Sequence, residues 1–344
     1  TLPNEFDMGL GKRKAIYISF PQAVPLKYTM DRRGVSPCTA TCPLHCNAHG
    51  YVALISQGKF KEALELVREK LAFPGILAYA CAHPCERECK RIEKDRPIYI
   101  CQLKRFLVDH VEEPEFKFTP PEEKGKKIAV VGGGPSGLTA AYDLRKMGYH
   151  VTLFESKSEL GGLLTRGFPS YRLPKEVVEK DLAIIDKMGI EVKCNTRVGK
   201  DVIPETLTQS YDAIFIAGGV TGAESILHAF KGLKRTRRGT IQVNPVSLET
   251  SVKGIFAGGD MVTGPGTIIE SMAHGRKAAL SIDRYLRGED LLEGRESEGT
   301  QISPLRSLLP YAKRMEREAL PDMVKPFAVS PSAEEAMEEA KRCL

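Results

Sequence analysis

The sequence predicts an α/β fold, a doubly wound parallel-sheet domain preceded by a small helical domain, and three observations carry that expectation. First, an apolar run, IAVV at 128–131, leads straight into a glycine turn, an amphipathic helix ended by Gly148 and a second strand, HVTLFE, which together make one βαβ unit. Second, DAIFIAGG (212–219) and GIFAGGD (254–260) read as further buried strands, with 267–286 as a helix packed beside them. Third, seven of the nine cysteines fall between Cys38 and Cys101, around helix-like stretches with no strand pattern.

In chain order, residues 1–31 form a lead segment with one short candidate strand, AIYISF. The helical domain is expected over 32–111, where Val52, Leu54, Ile55, Phe60, Ala63, Leu64 and Leu66 recur in two helix-like stretches parted by Gly58. A charged, proline-bearing linker, 112–127, separates it from the sheet domain at 128–289. The tail, 290–344, is charged and carries one candidate amphipathic helix near 332–342.

The chain has 344 residues, 42% of them apolar, enough to bury a substantial core. Its net charge of +6 is spread among 44 acidic residues, so no basic stripe argues for nucleic acid. No run of about 18 apolar residues predicts a membrane span, and the N-terminus lacks a secretory pattern, so a cytoplasmic location is expected. The chain opens on threonine, as a processed protein or a piece of a longer one would.

Gly132, Gly134 and Gly137 form G-x-G-x-x-G directly after a strand and at the start of a helix. The first permits a tight turn, the second lets a pyrophosphate approach the backbone, and the third lets helix and strand pack closely. Pro135 and Ser136 occupy the positions between. Glu155, at the end of the second strand, stands where a ribose-binding acid belongs, and its charge disfavours a 2′-phosphate. FAD and NAD both satisfy this pattern; a glycine turn in a nucleotide-free domain is the bland alternative.

Cys38, Cys42 and Cys46 are spaced by four, as are Cys81, Cys85 and Cys89. Thiolates in such numbers suit iron–sulfur ligation, and six supply at least one cluster. Structural zinc is the alternative, with His45, His49 and His83 nearby, but spacings of four fit paired C-x-x-C motifs poorly. The histidines read as surface or helix residues. Cys194 reads as a buried small apolar residue in a strand, and Cys343 as a residue without a role.

The strings VVGGGPSGLTAAYDLRKMGYHVTLFE, ELGGLL, FPSYRLPKEVV and FAGGDMVTGPGTIIESMAHG occur in that order, and the chain resembles through them the glutamate synthase small-subunit (beta subunit) family and the related N-terminal half of dihydropyrimidine dehydrogenase. The resemblance implies an FAD-binding sheet domain behind a helical [4Fe-4S] domain. It implies FAD contacts for Gly132, Gly134, Pro135, Ser136, Gly137, Glu155, Gly162, Leu163, Arg172, Val198, Gly259, Asp260 and Thr267, with Arg172 near the flavin's phosphates or ring and Asp260 on the ribityl hydroxyls. For Arg172 a surface ion pair is the bland alternative, and for Asp260 turn chemistry after two glycines.

The string CAHPCEREC is similar to the family's second ligand group, which implies that Cys42, Cys81 and Cys85 share one cluster while Cys38 and Cys89 help hold another. Two upstream cysteines of the two-cluster pattern have no counterpart before Cys38, and the family's non-cysteine ligand falls near Lys104, which does not coordinate while protonated. Cys46 or Cys101 is left to substitute, or a ligand is expected from a part upstream of the given sequence.

Family members also carry an NADPH domain after the strand that ends in AxG. Here 219–254 holds only a short polar connection without a second glycine fingerprint, too little for that domain. The lead at 5–31 resembles a segment of heterodisulfide reductase, in its flavin- and iron–sulfur-bearing component. The expectation is therefore an FAD- and iron–sulfur-dependent oxidoreductase with no side-chain catalytic constellation, relaying electrons to a redox partner protein in a multi-subunit complex. A self-sufficient NAD(P)H-dependent oxidoreductase and a metal-stabilised scaffold without flavin are the alternatives.

Overall fold

The computed structural model describes residues 35–112, 116, 118–295 and 330–343, together with the backbone of β1 (Ile16–Ser19) and β2 (Gln22–Pro25), which pair antiparallel. The rest of the lead, with most of its resemblance to heterodisulfide reductase, and the tail over 296–329 lie outside the described residues.

The cysteine-rich part is helical. A turn α1 (Pro37–Ala40) precedes α2 (Ala48–Ser56) and α3 (Phe60–Lys70), which are parted by Gly58 at φ +73°. Then come α4 (Pro74–Ala80), the turn α5 (Pro84–Arg87), a 3-10 turn (Lys90–Glu93) and α6 (Ile100–His110). Apolar side chains at helical spacing close its core: Tyr51, Val52, Ile55, Leu64, Val67, Phe73, Ile76, Leu77, Phe106 and Leu107 are buried. Phe60 meets Phe106 edge to face, with ring centroids 5.0 Å apart.

The second part is a five-stranded parallel sheet with strand order β5-β4-β3-β6-β7. Its elements in chain order are β3 (Lys127–Val131), α7 (Pro135–Lys146), β4 (His150–Phe154), the turn α8 (Leu163–Arg166), α9 (Lys175–Lys187), β5 (Glu191–Lys193), α10 (Pro204–Ser210), β6 (Ala213–Ile216), α11 (Gly219–Ala229), β7 (Ile255–Ala257), the turn α12 (Asp260–Thr263) and α13 (Ile268–Arg287). Strands β6 and β7 are buried throughout, as a sheet covered on both faces demands. The order reverses between β3 and β6, so the crevice at their C-terminal ends is the switch point where this architecture takes its ligand.

Three placements differ from the sequence reading. Cys194 lies one residue beyond β5 and is half-buried, because only Glu191–Lys193 pairs with β4. The connection after Gly219 opens with an eleven-residue helix, α11, whose Ala223 and Ile226 are buried. His45 and His83 sit in left-handed turns, at φ +49° and +39°, rather than in helices.

The final helix, α14 (Ala333–Lys341), starts at the capping box of Ser332 and Glu335 and packs on α2 and α6. Glu339 accepts the Tyr99 N–H at 3.0 Å, and Arg342 reaches Asp95 at 3.0 Å and the Arg96 carbonyl at 2.9 Å. The chain end is thereby stitched to the loop that follows Cys89. Cys343 is half-buried and packs against the core.

Candidate functional site

Each glycine of the first loop meets a different obstacle. A Cβ on Gly132 would lie 2.4 Å from the Ala217 carbonyl oxygen, and φ there is +110°. On Gly137 it would lie 1.9 Å from the Gly132 carbonyl oxygen. On Gly134 it would meet nothing within 4 Å. The first and third glycines of the fingerprint are thus needed by the fold, whereas Gly134 faces open space at the N-terminus of α7, where Pro135 opens the helix and the next amides have no intrahelical partner. That is the arrangement of a phosphate cradle.

Ser136, in the first turn of α7, is buried, and its Oγ has no hydrogen-bond partner, an orphan polar atom inside the cradle. Glu155, also buried, ends β4 beside the loop. Its Oε2 accepts the Gly133 N–H at 2.8 Å and its Oε1 the Lys157 N–H at 2.8 Å. A carboxylate has about four lone-pair sites, so these bonds orient it and leave capacity for ribose hydroxyls. The ELGGLL turn closes on the same place: the Gly161 N–H donates to the Gly133 carbonyl at 2.8 Å, and a Cβ on Gly162 would lie 3.1 Å from the Gly134 Cα. Leu163 is 61% exposed, and Arg172, in the turn after Pro169, is exposed too.

The far wall comes from the other end of the domain. Gly259, at φ +68°, packs against Ser136, its N–H donates to Nδ1 of His274 at 3.1 Å, and Asp260 Oδ1 accepts Ser271 Oγ at 3.0 Å. Burial and Lys277 lower the pKa of His274, which suits its role as a neutral acceptor. Thr267 caps α13, with its Oγ1 accepting the Glu270 N–H at 3.3 Å. Two helix N-termini, those of α7 and α13, therefore flank one crevice. Val198 is buried in a cluster with Val131, Phe154, Ala257 and Met261. An orphan hydroxyl, an open glycine face and two carboxylates that can accept hydroxyl protons fit a flavin dinucleotide.

The thiols separate into two sets. Cys42, Cys46 and Cys81 lie within electrostatic reach of one another, Cys85 is in reach of Cys42 and Cys81, and Cys101 is in reach of Cys81. Cys38 is in reach of Cys89. Backbone N–H groups turn toward the sulfurs: Cys46 and Leu44 toward Cys42, Thr39 and His49 toward Cys38, His83 toward Cys81 at 3.3 Å and Ile98 toward Cys89 at 3.5 Å. Such donors favour thiolates and tune any cluster they hold. Burial pushes the unligated thiols up, Cys46 to about 12. Cys101 donates its own S–H to the Ala78 carbonyl at 3.5 Å. Among the described residues no group of three or more His, Cys, Asp or Glu is drawn together as a single-ion metal site; the buried Cys42, Cys46 and Cys81 and the half-buried Cys85 are soft thiols of the kind that hold iron–sulfur clusters.

Lys104, noted in the sequence as the family's non-cysteine ligand position, is 6% exposed, and nearby thiols, Cys81 foremost, counter the effect of burial on its charge. Arg276 was missed altogether. From α13 it bonds Asp143 of α7 at 3.0 Å and reaches the Leu44 carbonyl, inside the Cys42–Cys46 loop, at 3.5 Å. The contact spans 232 positions, and an arginine on a helix face gives no sign of it in sequence. A cleft of about 600 Å³ between α3, α6 and α9 shares no lining residue with the cradle or the thiols.

Among the described residues no helix is long and apolar enough to cross a membrane. Residues 33–116 match the dihydropyrimidine dehydrogenase domain II, 4Fe-4S cluster family, and residues 101–275 match the pyridine nucleotide-disulphide oxidoreductase family. The chain is 28% identical over 73% of its length to NADP(+)-dependent formate dehydrogenase subunit beta of Moorella thermoacetica, covering 60% of that protein. It is 37% identical over 54% of its length to NADPH-Fe(3+) oxidoreductase subunit beta of Geobacter sulfurreducens, covering 28% of it, and 32% identical over 55% to the glutamate synthase [NADPH] small chain of Bacillus subtilis, covering 39%. The chain thus spans less than two thirds of the length of each of these relatives. The first alignment runs over 424 positions against 344 residues here, so that relative has stretches with no counterpart in this chain. With a family match over half its length and the geometry above, the chain belongs to the pyridine nucleotide-disulphide oxidoreductase family and joins to that domain a 4Fe-4S domain.

Proposed function

We propose that the chain is an electron-transfer subunit, holding FAD in the crevice between β3 and β6 and a [4Fe-4S] cluster on Cys42, Cys46, Cys81 and Cys85, and exchanging electrons with a partner protein. The cradle's own residues would do the binding: the amides of α7 and the open face of Gly134 for the pyrophosphate, Glu155 for the adenosine ribose, and Asp260, fixed by Ser271, for the ribityl hydroxyls. A bound flavin supplies exchange between two-electron and one-electron carriers. The protein's part is to hold the two groups in fixed relation and keep water from the path.

The observation that carries this reading is the Arg276 bridge. One side chain ties the dinucleotide helix α7, through Asp143, to the loop between Cys42 and Cys46. The cradle helix and the Cys42–Cys46 loop are thereby linked through one side chain, as a relay needs. Cys38 and Cys89, in reach of one another, would supply two ligands toward a second cluster.

The segment between Gly219 and Gly254 leaves no room for a second nucleotide domain, which supports a partner as the source or sink of electrons. Three of the relatives above carry NADP(+) or NADPH in their names and two are named as beta subunits, in keeping with a partner that meets the nicotinamide. The test is anaerobic purification, flavin and iron analysis, and addition of NADPH and NADH in turn. Flavin and iron present without bleaching of the visible spectrum is the expected result; rapid bleaching by either nucleotide alone would replace the relay with a self-sufficient oxidoreductase, and a colourless protein would leave only a scaffold.

A further inference from the structure

Between Glu224 and Glu249 the chain has no acid, and five cations, Lys231, Lys234, Arg235, Arg237 and Arg238, fall within eight positions. All five are exposed. The structure folds them into a defined hairpin. The Thr236 N–H donates to the Thr240 carbonyl at 2.9 Å, the Gly239 N–H donates to the Thr236 carbonyl at 3.0 Å, and Arg235 pairs antiparallel with Ile241. Gly239, at φ +85°, takes the left-handed position that closes a three-residue hairpin loop, so Arg237 and Arg238 stand at the tip. Lys253, also exposed, adds a sixth cation from a turn bonded to the hairpin's first arm, where the Lys234 N–H donates to Ser251 Oγ at 2.9 Å.

Among the described residues no carboxylate forms an ion pair with any of the six. Glu249, between the hairpin and Lys253, accepts the Gly254 N–H at 3.2 Å. Like charges held this close repel one another, and an anionic surface laid over the hairpin would relieve them. The hairpin is also anchored beside the crevice. Ile241 is fully buried and donates its N–H at 3.0 Å to the carbonyl of Met261, the residue that follows Asp260. At about 3.3 Å per residue, the tip is within roughly 10 Å of chain from that anchor. Phe230, the one Phe, Tyr or Trp between 228 and 243, is buried, so the hairpin offers no platform on which a nucleic-acid base could stack.

We propose that this hairpin is the docking surface for an acidic one-electron carrier protein, and that its charge selects the partner with which the flavin exchanges electrons. This rests on the reading of the chain as a flavin relay. Each reduced flavin hands one electron to each of two carriers in turn and releases its protons to solvent. A cationic tip raises the rate of encounter with an acidic face by about 10–10³-fold at low salt. Because the turn is already formed, little ordering is left for the moment of docking.

The test uses the full chain, its flavin reduced with dithionite and freed of excess reductant, then mixed in a stopped-flow cell with an acidic blue-copper protein or a basic c-type cytochrome. Salt is varied from about 0.01 M to about 1 M, which cuts the screening length from roughly 30 Å to 3 Å. The rate with the acidic carrier is expected to fall at least tenfold over that range, and the rate with the basic carrier to rise. Arg237→Glu combined with Arg238→Glu is expected to lower the low-salt rate with the acidic carrier at least tenfold at unchanged flavin content. The neutral pair Arg237→Gln and Arg238→Gln is expected to fall between. Lys59→Glu combined with Lys61→Glu changes the net charge equally on α3, away from the hairpin, and is expected to stay near wild type. A rate with the acidic carrier that ignores salt would overturn the proposal, as would equal slowing by the control pair. Tighter binding of a labelled single-stranded oligonucleotide than of the labelled acidic carrier, lost in the reversed hairpin, would make this a nucleic-acid site and overturn it too. A chain that purifies without flavin sinks the relay reading; the hairpin is then judged by fluorescence anisotropy of the labelled carrier, where binding unchanged by charge reversal would overturn it.

Discussion

At Gly134 the structure separates a ligand effect from a folding effect. The backbone there has φ −84° and ψ −177°, open to any residue, and an added Cβ meets no protein atom within 4 Å. Gly134→Leu is therefore expected to fold normally by circular dichroism and to purify with flavin reduced at least tenfold, because the new side chain fills the phosphate's place. Cys85→Ala tests the other cofactor. It is expected to lose the broad cluster absorption and most of its iron while its flavin spectrum persists, since Cys85 belongs to the four-thiol set and lies far in sequence from the cradle. Retention of full iron in that variant would remove Cys85 from the ligand set. The glycine loop and Glu155 were legible in sequence because each residue type is dictated by one local constraint, a close approach or a charge at the end of a strand. Lys104 and Arg276 were not legible in the same way. Their meaning depends on which thiols and carbonyls the fold brings to them, and no local pattern encodes that.

At the scale of elements, α13 against α7 is the contact that holds the crevice shut. Gly275 makes it: a Cβ there would lie 2.1 Å from the Ser136 carbonyl oxygen and 3.0 Å from the Ala140 nitrogen. Both are backbone atoms, so the helices must separate to admit even a methyl group. Gly275→Ala is expected to cost about 3 kcal/mol, the upper end of the usual range for overpacking, and to weaken flavin retention, because Ser136 moves with α7. Urea unfolding and flavin release on dilution measure the two effects, and wild-type stability in the variant would contradict the packing account. Helices α2, α3, α7 and α13 and the strands β3, β4, β6 and β7 followed from apolar periodicity and from glycine or capping signals at their ends. Helix α11 did not, because its sequence, GVTGAESILHA, holds two glycines and a short apolar stripe that read as connection. Cys194 fell outside its strand because pairing with β4 stops at Lys193, a boundary that apolar pattern alone does not mark.

In the molecule as a whole, the helical part and the sheet part are joined by more than the linker. Asp181 of α9 accepts the Ile76 N–H of α4 at 2.7 Å across 105 positions, and one apolar core runs from Tyr51 and Phe73 to Leu138 and Ile282. Flavin and cluster absorbance are accordingly expected to be lost together, in one transition, as denaturant is raised. Asp181→Ala leaves a buried N–H unpaired at a cost of about 1–3 kcal/mol; it is expected to move that transition to lower denaturant, and separate transitions in the wild type would show the two parts to be independent. Two domains in series were legible from composition. Their interlock was not, because a carboxylate on a polar helix face looks the same whether it meets water or a distant backbone amide.

The stitching of α14 to the loop after Cys89 also sets a schedule for how this protein is made. Tyr99 must wait 240 residues for Glu339, and at about 5–20 residues per second of synthesis that is a delay of roughly 12–48 s. Through that interval the loop carrying Cys89 lacks its final strap while Cys38 and Cys89 have already emerged. A window of this kind leaves Cys38 and Cys89 open to solution before α14 closes over the loop.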